Sequence, residues 1–585
     1  MNQSSAIQPE DILDSWKDIA AYLKRDISTV QRWERREDMP VHRHVHGIRG
    51  SVYAFRSELD VWLGSRRLRL EPEADLRTAE TAESVVPDFY HRKPIGRLWL
   101  LAGAMTALVA AATYLLLADR IATTRAVSVR SLAVLPLQNL SADPAQEFFV
   151  DGMTEALIGR LSRMPGIRVI SRTSAMHFKG TRLPLPEIAR TLHVDAIIEG
   201  SVVRSGSRLR ISVQLISVAT DDLLWSGSYD RELRDVLNLQ DEVTHAIARQ
   251  IQITIGGQES ARRDAPQVSP DAYEDYLRGR FALNRSPTPS LDDSVRYFES
   301  AIAKDSMFAP AYSGLGAAYM ALGSVFGGAL PASARANAIR SAEKALELDS
   351  GLVEAHVVLG QASVAEWQWG VAEASYRRAI DLNPNDAAAY AGLAHWLLCL
   401  GRTDEALASA RRARDLDPLA LFGTNIGWIL FHARRYNEAI RELQTVLAVR
   451  PDDGRVLWYL GFALIEQGQP EEALKLLERS ASVSDRNPAV LGVLVRAYAR
   501  AGRRTEALRI VDELHRRRRA GYIPPAAFVN AYLGLAQYDE AFVWLERAYA
   551  ERSNILQFLK VHPFFDAVRG DPRFVGLLRR VNIPD

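Results

Sequence analysis

The stretch ISTVQRWERREDMPVHRH at residues 27–44 sets guanidinium, amide and hydroxyl groups at helical spacing and then runs into alternating histidines. Arg32, Gln31 and Thr29 have the length and the donors to hydrogen-bond base edges in a duplex groove. Lys17, Arg25, Arg35, Arg43 and Arg49 are the types that contact phosphates, which position a protein without reading sequence, and Arg36 shares their exposed face. The competing reading is a solvated helix face, on which arginine is common. His42, His44 and His46 alternate as on one face of a strand, but no cysteine or nearby carboxylate in the sequence completes a metal site, so an exposed or DNA-facing strand is expected instead. Asp143, Asp151 and Glu155 border a helix start, whose dipole explains the acids without a metal. The single cysteine, Cys399, lies in the apolar run HWLLCLG, where a buried structural thiol outweighs a nucleophile or ligand. No phosphate loop or nucleophile elbow is present, so no catalytic residue, metal or cofactor is assigned.

Three short helices must position the basic residues. Capping boxes place their starts at Ser15 with Asp18, Ser28 with Gln31 and Ser57 with Asp60. WKDIAAYLK offers Ile19, Ala20 and Leu23 as one apolar face, RDI turns the chain, and the second helix turns Val30 and Trp33 to the core. That is helix-turn-helix spacing. MPVHRHVHGIRGSVYAF then has the punctuation and alternation of a β-hairpin, and SELDVWL follows as a helix. Over about fifty-five residues, SWKDIAAYLKRDISTVQRWERRE and GSVYAFRSELDVWL resemble the winged DNA-binding domains of the excisionase and MerR type. The resemblance implies that the helix from Ser28 enters the major groove and the wing meets the backbone or minor groove. Residues 15–69 hold 12 Lys or Arg against 7 Asp or Glu, a modest surplus of the sign that phosphate binding needs.

The chain has 585 residues, and its 72 Lys and Arg nearly cancel 71 Asp and Glu, so whole-chain charge excludes no partner. LWLLAGAMTALVAAATYLLLA at 98–118 is uncharged and close to the ~20 residues a membrane-spanning helix needs. With Trp99 near its start, and Arg92, Lys93 and Arg97 before it, the expectation is a single span at 97–118 with the N-terminus in the cytoplasm and the C-terminal region in the periplasm of a bacterial inner membrane. Residues 71–96 read as a tether.

Beyond the apolar run, SLAVLPL and IRVISR read as strands around the helix EFFVDGMTEALIGRLSRM. LPEIARTLH follows as a helix, and VDAIIEG to SYDREL reads as three strands turning at 205–207 and 220–222. This α/β stretch, 131–255, resembles the N-terminal domain of TolB and the flagellar protein FlgO in LAVLPLQNLSADPAQEFFVDGMTEALIGRLSRMPGIRVISRTSAMHFKG and DAIIEGSVVRSGSRLRISVQL, which implies a binding or assembly role. From 271 to 585 the chain repeats: Ser350, Pro384, Pro418 and Pro451 fall 34, 34 and 33 residues apart, the tetratricopeptide period. Gly401 with Ala406, Gly468 with Ala473 and Gly502 with Ala507 recur where the turn and helix crossing exclude bulk. Eight or nine helix pairs stack at this period. The concave face would carry Tyr390, His395, Asn425 and Trp428 as protein-binding residues, with Trp396, Trp458 and Tyr459 beside them; aromatics at repeat positions also pack between helices, whereas Asn425 is poorly suited to a core.

The fold class is therefore multidomain and mainly α: a tail at 1–14, a winged helix-turn-helix at 15–70, a linker, one transmembrane helix, a small α/β domain and an α-solenoid. In plan it resembles one-component regulators of the ToxR and CadC kind, which implies a membrane-anchored transcription regulator that binds duplex DNA inside and a protein or peptide outside. A homodimer belongs to the same expectation, because paired modules on adjacent half-sites gain effective concentration. The alternative is an envelope scaffold working through its repeats, with the N-terminal module docking protein. An enzyme fits least, since every long segment is already assigned.

Overall fold

The computed structural model describes residues 12–13, 15–25, 27–36, 39–43, 52–56, 58–60, 62, 129–141, 143–164, 166–255, 268–284, 289–324, 331–419 and 422–584. The chain divides into two compact units, residues 1–115 and 116–585.

In the first unit, helix α1 (Trp16–Leu23) starts where the Ser15 hydroxyl accepts from the Asp18 amide and donates to its carboxylate. Lys24, in the left-handed region at φ 52°, ends it. After the turn, α2 (Ile27–Arg36) buries Val30 and Trp33 against Ile19, Ala20 and Leu59. Three strands pair antiparallel in the order β1 (Ile12–Leu13), β3 (Val52–Phe55) and β2 (His42–Arg43). Strand β1 falls in the stretch expected to be a tail, and its Leu13 joins the core.

The second unit opens with a sheet in the order β6 (Arg168–Val169), β4 (Ser131–Val134), β7 (Ala196–Ser205), β8 (Arg208–Ser217) and β9 (Leu223–Glu232). β4 is parallel to β6 and β7, while β7, β8 and β9 form an antiparallel meander. The short β5 (Gln138–Asn139) pairs with β7. One sheet face buries Leu132, Ile198, Ile211 and Val213 against α3 (Glu147–Leu161) and α6 (Val236–Ile255). The other packs Ala133 and Ile197 against Ile188 and Leu192 of α5 (Leu185–Leu192), which follows the short α4 (Arg172–Met176).

Eight antiparallel helix pairs follow among the described residues. They are α7 (Pro270–Leu283) with α8 (Pro289–Lys304), α9 (Ala309–Leu322) with α10 (Pro331–Leu348), α11 (Val353–Ala365) with α12 (Trp369–Leu382) and α13 (Ala387–Cys399) with α14 (Thr403–Leu416). Then come α15 (Phe422–His432) with α16 (Tyr436–Val449), α17 (Gly454–Glu466) with α18 (Pro470–Val483), α19 (Pro488–Arg500) with α20 (Arg504–Ala520) and α21 (Pro525–Gly534) with α22 (Tyr538–Ala550). Two 3-10 turns, Asn554–Phe558 and Pro563–Val568, lead to a last helix, α23 (Pro572–Val581).

Close crossings explain some of the small residues. A Cβ on Gly360 or Gly392 would lie 2.7 or 2.2 Å from the Tyr376 ring, which fills the space between those helices. Gly468 and Gly502 have a different reason from the steric one expected: among the described residues nothing lies within 4 Å of where a Cβ would stand, but φ is +83° and +75°. The turn needs the left-handed region there, not empty space.

The α/β domain and the array are one body. Tyr273, Leu277, Phe308 and Ala311 of the repeats join the core of the sheet, and a Cβ on Gly152 of α3 would meet Leu277 at 2.5 Å. The polar residues of the repeat loops are the clamps. Asn385 donates to the carbonyls of Ser162 at 3.0 Å and Ile167 at 2.7 Å, and the Asp417 carboxylate accepts from the Ser174 amide and hydroxyl. Arg280 of α7 joins Glu155 of α3 to Glu354 of α11.

One expectation is corrected. Among the described residues no helix is long and apolar enough to cross a membrane, so a single-pass inner-membrane placement with a periplasmic C-terminal region is not supported. The longest described helix, α6 with 20 residues, carries Asp241, Glu242 and Arg249, charges that a bilayer core would exclude. Residues 98–118, on which the expectation rested, lie outside the described residues, as do the tether and His44, His46 and Arg49.

Candidate binding chamber and basic module

The repeat array curves so that α9, α11, α13, α15, α17 and α19 contribute to one wall, and the chain's own C-terminal segment closes it. Turns between paired helices place Trp367, Gly401, Arg434, Gly468, Gly502 and Ala536 at equivalent positions, all with positive φ. Trp367 at φ 60° and Arg434 at φ 61° are bulky side chains where three repeats use glycine, each at a strain of roughly 1 kcal/mol or more. Both meet the C-terminal segment. The Arg552 guanidinium lies 4.2 Å over the Trp367 ring, and Tyr549 packs 5.2 Å from it. Arg434 holds both oxygens of Asp566, at 2.7 and 2.9 Å. Val561 comes within 3.6 Å of where a Gly401 Cβ would lie, so the segment passes over three successive turns.

Inside the edge so closed, Phe558 packs edge-on against Trp428 and His395 and stacks on His432. His432 and His562 are buried, their rings 5.0 Å apart. Burial holds both imidazoles neutral: His432 is pushed down to about 3, against the opposing hydrogen bond to the Trp428 carbonyl, and His562 lies well below the usual histidine range. Burial also lowers His395, whose Nε2 meets Gln557 at 2.9 Å.

The chamber, partly open to solvent, measures about 980 Å³. His395, Asn425 and Trp428 line it, together with Trp458, Tyr459 and Phe558. Trp428 and Tyr459 stack at 4.3 Å. Asn425 is exposed on the wall. Tyr390 is not brought there: Arg412 lies 5.8 Å over its ring, and its carbonyl accepts from Ser409. Trp396 is buried core and donates to the Trp369 carbonyl. Arg335, Tyr376 and Asn530 are among the lining residues that the sequence reading did not name. Of these, Asn530 had a visible signal, as the one amide in the apolar run PPAAFVNAYLGL.

The other chemistry candidates are structural. Cys399 is buried, which pushes its thiol up and makes it a poor nucleophile. Asp143 caps the turn before α3, Asp151 meets Lys179 at 2.5 Å and Glu155 holds Arg172 and Arg280. Among the described residues no group of three or more His, Cys, Asp or Glu could hold a metal. His42 does have a carboxylate beside it, contrary to expectation: Glu58 Oε2 lies 2.7 Å from Nε2, supplied by the chain after β3.

In the first unit, Lys17 and Arg25 are exposed, Thr29 and Gln31 half-buried. Arg32, Arg35 and Arg36 lie on α2 and Arg43 on β2. Tyr53 and Phe55 form the outer face of the sheet with His42 stacked on Tyr53 at 5.2 Å.

Residues 128–246 match the second domain of HilA/YgeH-like transcriptional regulators. Residues 358–420, 430–483 and 464–520 match tetratricopeptide repeats. Over 186 residues the chain is 37% identical to "Putative adenylate cyclase 3" of Rhizobium meliloti, covering 32% of each chain. Over 215 residues it is 27% identical to superkiller protein 3 of Schizosaccharomyces pombe, covering 37% of this chain and 13% of that one. The chain thus spans a third or less of these relatives. Among solved structures, the Cut9–Hcn1 hetero-tetramer of the APC/C gives a TM-score of 0.32 at 16% identity, covering 44% of this chain and 52% of that one. A tetratricopeptide protein of Thermus thermophilus gives 0.29 at 18%, covering 33% and 99%.

Proposed function

We propose that the chain acts by binding rather than by chemistry. Its repeat array is a scaffold for a protein partner, and that scaffold belongs to a transcription regulator whose N-terminal module meets duplex DNA. The carrying observation is the match of residues 128–246 to a domain of transcriptional regulators, in a body clamped to tetratricopeptide repeats. The module's helices α1 and α2, its three described strands and its basic surplus support the DNA reading: α2 is short enough to enter a major groove, with Arg32, Gln31 and Thr29 as base readers and Lys17 and Arg25 as phosphate contacts. Its likeness to excisionase and MerR-type winged domains, and that of the α/β domain to TolB and FlgO, belong to the same proposal. A homodimer would raise occupancy through effective concentration.

A second reading keeps the scaffold and has the N-terminal module dock protein instead. It is favoured by the size of the array and by relatives that share repeats. Selection of genomic fragments by the full chain separates the two. The first requires recurrent sequences whose retention falls steeply with salt. Fragments retained without sequence preference, or not at all in low salt, select the second. Absence of nucleotide turnover by the full chain is the corresponding test against an enzyme.

A further inference from the structure

We infer that the chamber inside the repeat array is a site for a small ring-bearing carboxylic acid, held by Arg335 among aromatic side chains. The volume, about 980 Å³, is at the upper end of the ~300–1,000 Å³ typical of small-molecule sites. The C-terminal segment lies along the array edge over Trp367, Gly401 and Arg434, which suits a compact occupant better than an extended peptide entering from that side.

The wall specifies the chemistry. Arg335, on α10, is 2% exposed and lines the chamber. Its Nε donates to Glu366 at 2.6 Å, but Nη1 and Nη2 have no partner among the described residues. A buried guanidinium with two unused nitrogens is costly, and a carboxylate matches that planar end with two charge-assisted hydrogen bonds. Tyr376, fully buried, and Asn530, 4% exposed, also line the chamber, and the Tyr376 hydroxyl and Asn530 Oδ1 have no partner among the described residues. The set therefore offers donors for an anion and one acceptor for an N–H or O–H elsewhere on the ligand. Trp428, Tyr459, Trp458 and Phe558 supply flat apolar surface for a ring.

The inference builds on the reading of the array as the binding part of the chain, yet its test needs no protein partner. Isothermal titration calorimetry of the full chain with 2-naphthoate and its neutral isostere 2-naphthamide reads the chamber directly. The acid should bind at least ten-fold more tightly than the amide. Arg335→Met should erase that preference, and Arg335→Lys, which keeps the charge but loses the fork, should retain it with several-fold weaker binding. Thermal unfolding without ligand verifies that each variant folds, and Arg335→Lys keeps the test decisive if Arg335→Met does not. Equal affinity for acid and amide, no saturable binding of the acid, or a preference unchanged in both variants overturns the inference. So does binding of an acidic hexapeptide in place of the acid. These outcomes leave a protein partner on the outer surface of the array untouched, and failure to find such a partner leaves the calorimetry unaffected.

Discussion

Replacing Gly392 by alanine should destabilise the array, although glycine to alanine inside a helix ordinarily gains about 1 kcal/mol. The new methyl would lie 2.2 Å from Tyr376 Cε1 and 2.7 Å from Cζ. The ring has little room to retreat, because Gly360 also packs against it, where a Cβ would come within 2.7 Å of Cε1. Overpacking of this kind costs about 1–3 kcal/mol, and a pinned ring belongs at the upper end, so the net loss is about 2 kcal/mol. For a large cooperative unit that lowers the thermal midpoint by about 4 °C. Gly159 of α3 is the control: it is exposed and nothing lies within 4 Å of a built Cβ, so Gly159→Ala should raise the midpoint by about 2 °C. In a Tyr376→Leu background the clash is gone and Gly392→Ala should become neutral or stabilising, a coupling of about 2–3 kcal/mol. Scanning calorimetry of the four proteins and the control checks this. An equal loss from Gly392→Ala in both backgrounds would refute the account of Tyr376 as the wedge between repeats.

On the DNA side, Arg32→Ala should relax sequence preference while Lys17→Ala weakens all sites alike, read by competition binding at two salt concentrations; unchanged selectivity in both would mean that the docking face is elsewhere. Trp367→Gly removes a strained turn residue but also the stacking of Arg552 and Tyr549, so the chamber edge should open and labelling of the single cysteine, buried Cys399 beside His395, should accelerate about 5–30-fold for a loss of 1–2 kcal/mol. His395, His432 and His562 sit neutral in the fold near Arg434, Arg496 and Arg569, with folded values below the ordinary 6.5. Their stabilisation is whole above pH 6.5 and is lost as the unfolded chain takes up protons below it, up to about 4 kcal/mol per pH unit for three groups; a urea midpoint equal at pH 7 and pH 5 would contradict this. Arg280→Ala leaves Glu155 without one of its two arginines and Glu354 without its ion-pair partner, and should cost about 3–5 kcal/mol, measured as loss of the docking between the α/β domain and the array.

The sequence by itself determined what depends on local period and local chemistry. The 34-residue spacing gave the paired helices, the alternation through β7 to β9 gave a meander with turns at the expected places, and Ser15 with Asp18 gave the start of α1, because each is written within a few residues. The buried state of Cys399, Val30 and Trp33 followed from the same patterns. Tertiary structure alone decided which repeat residues share a space. Tyr390 and His395 are five apart in sequence, yet only His395 reaches the chamber, because the superhelix turns one toward α14 and the other toward the C-terminal segment. Arg335, Tyr376 and Asn530 line the same chamber from three different repeats, a grouping no local window contains. The closure that makes a groove into a chamber joins residues about two hundred apart, such as Trp369 with Val581 and Glu366 with Arg552. Sequence spacing carries no record of such contacts, since they arise only when the curvature summed over many repeats brings the end of the chain back across its own turns.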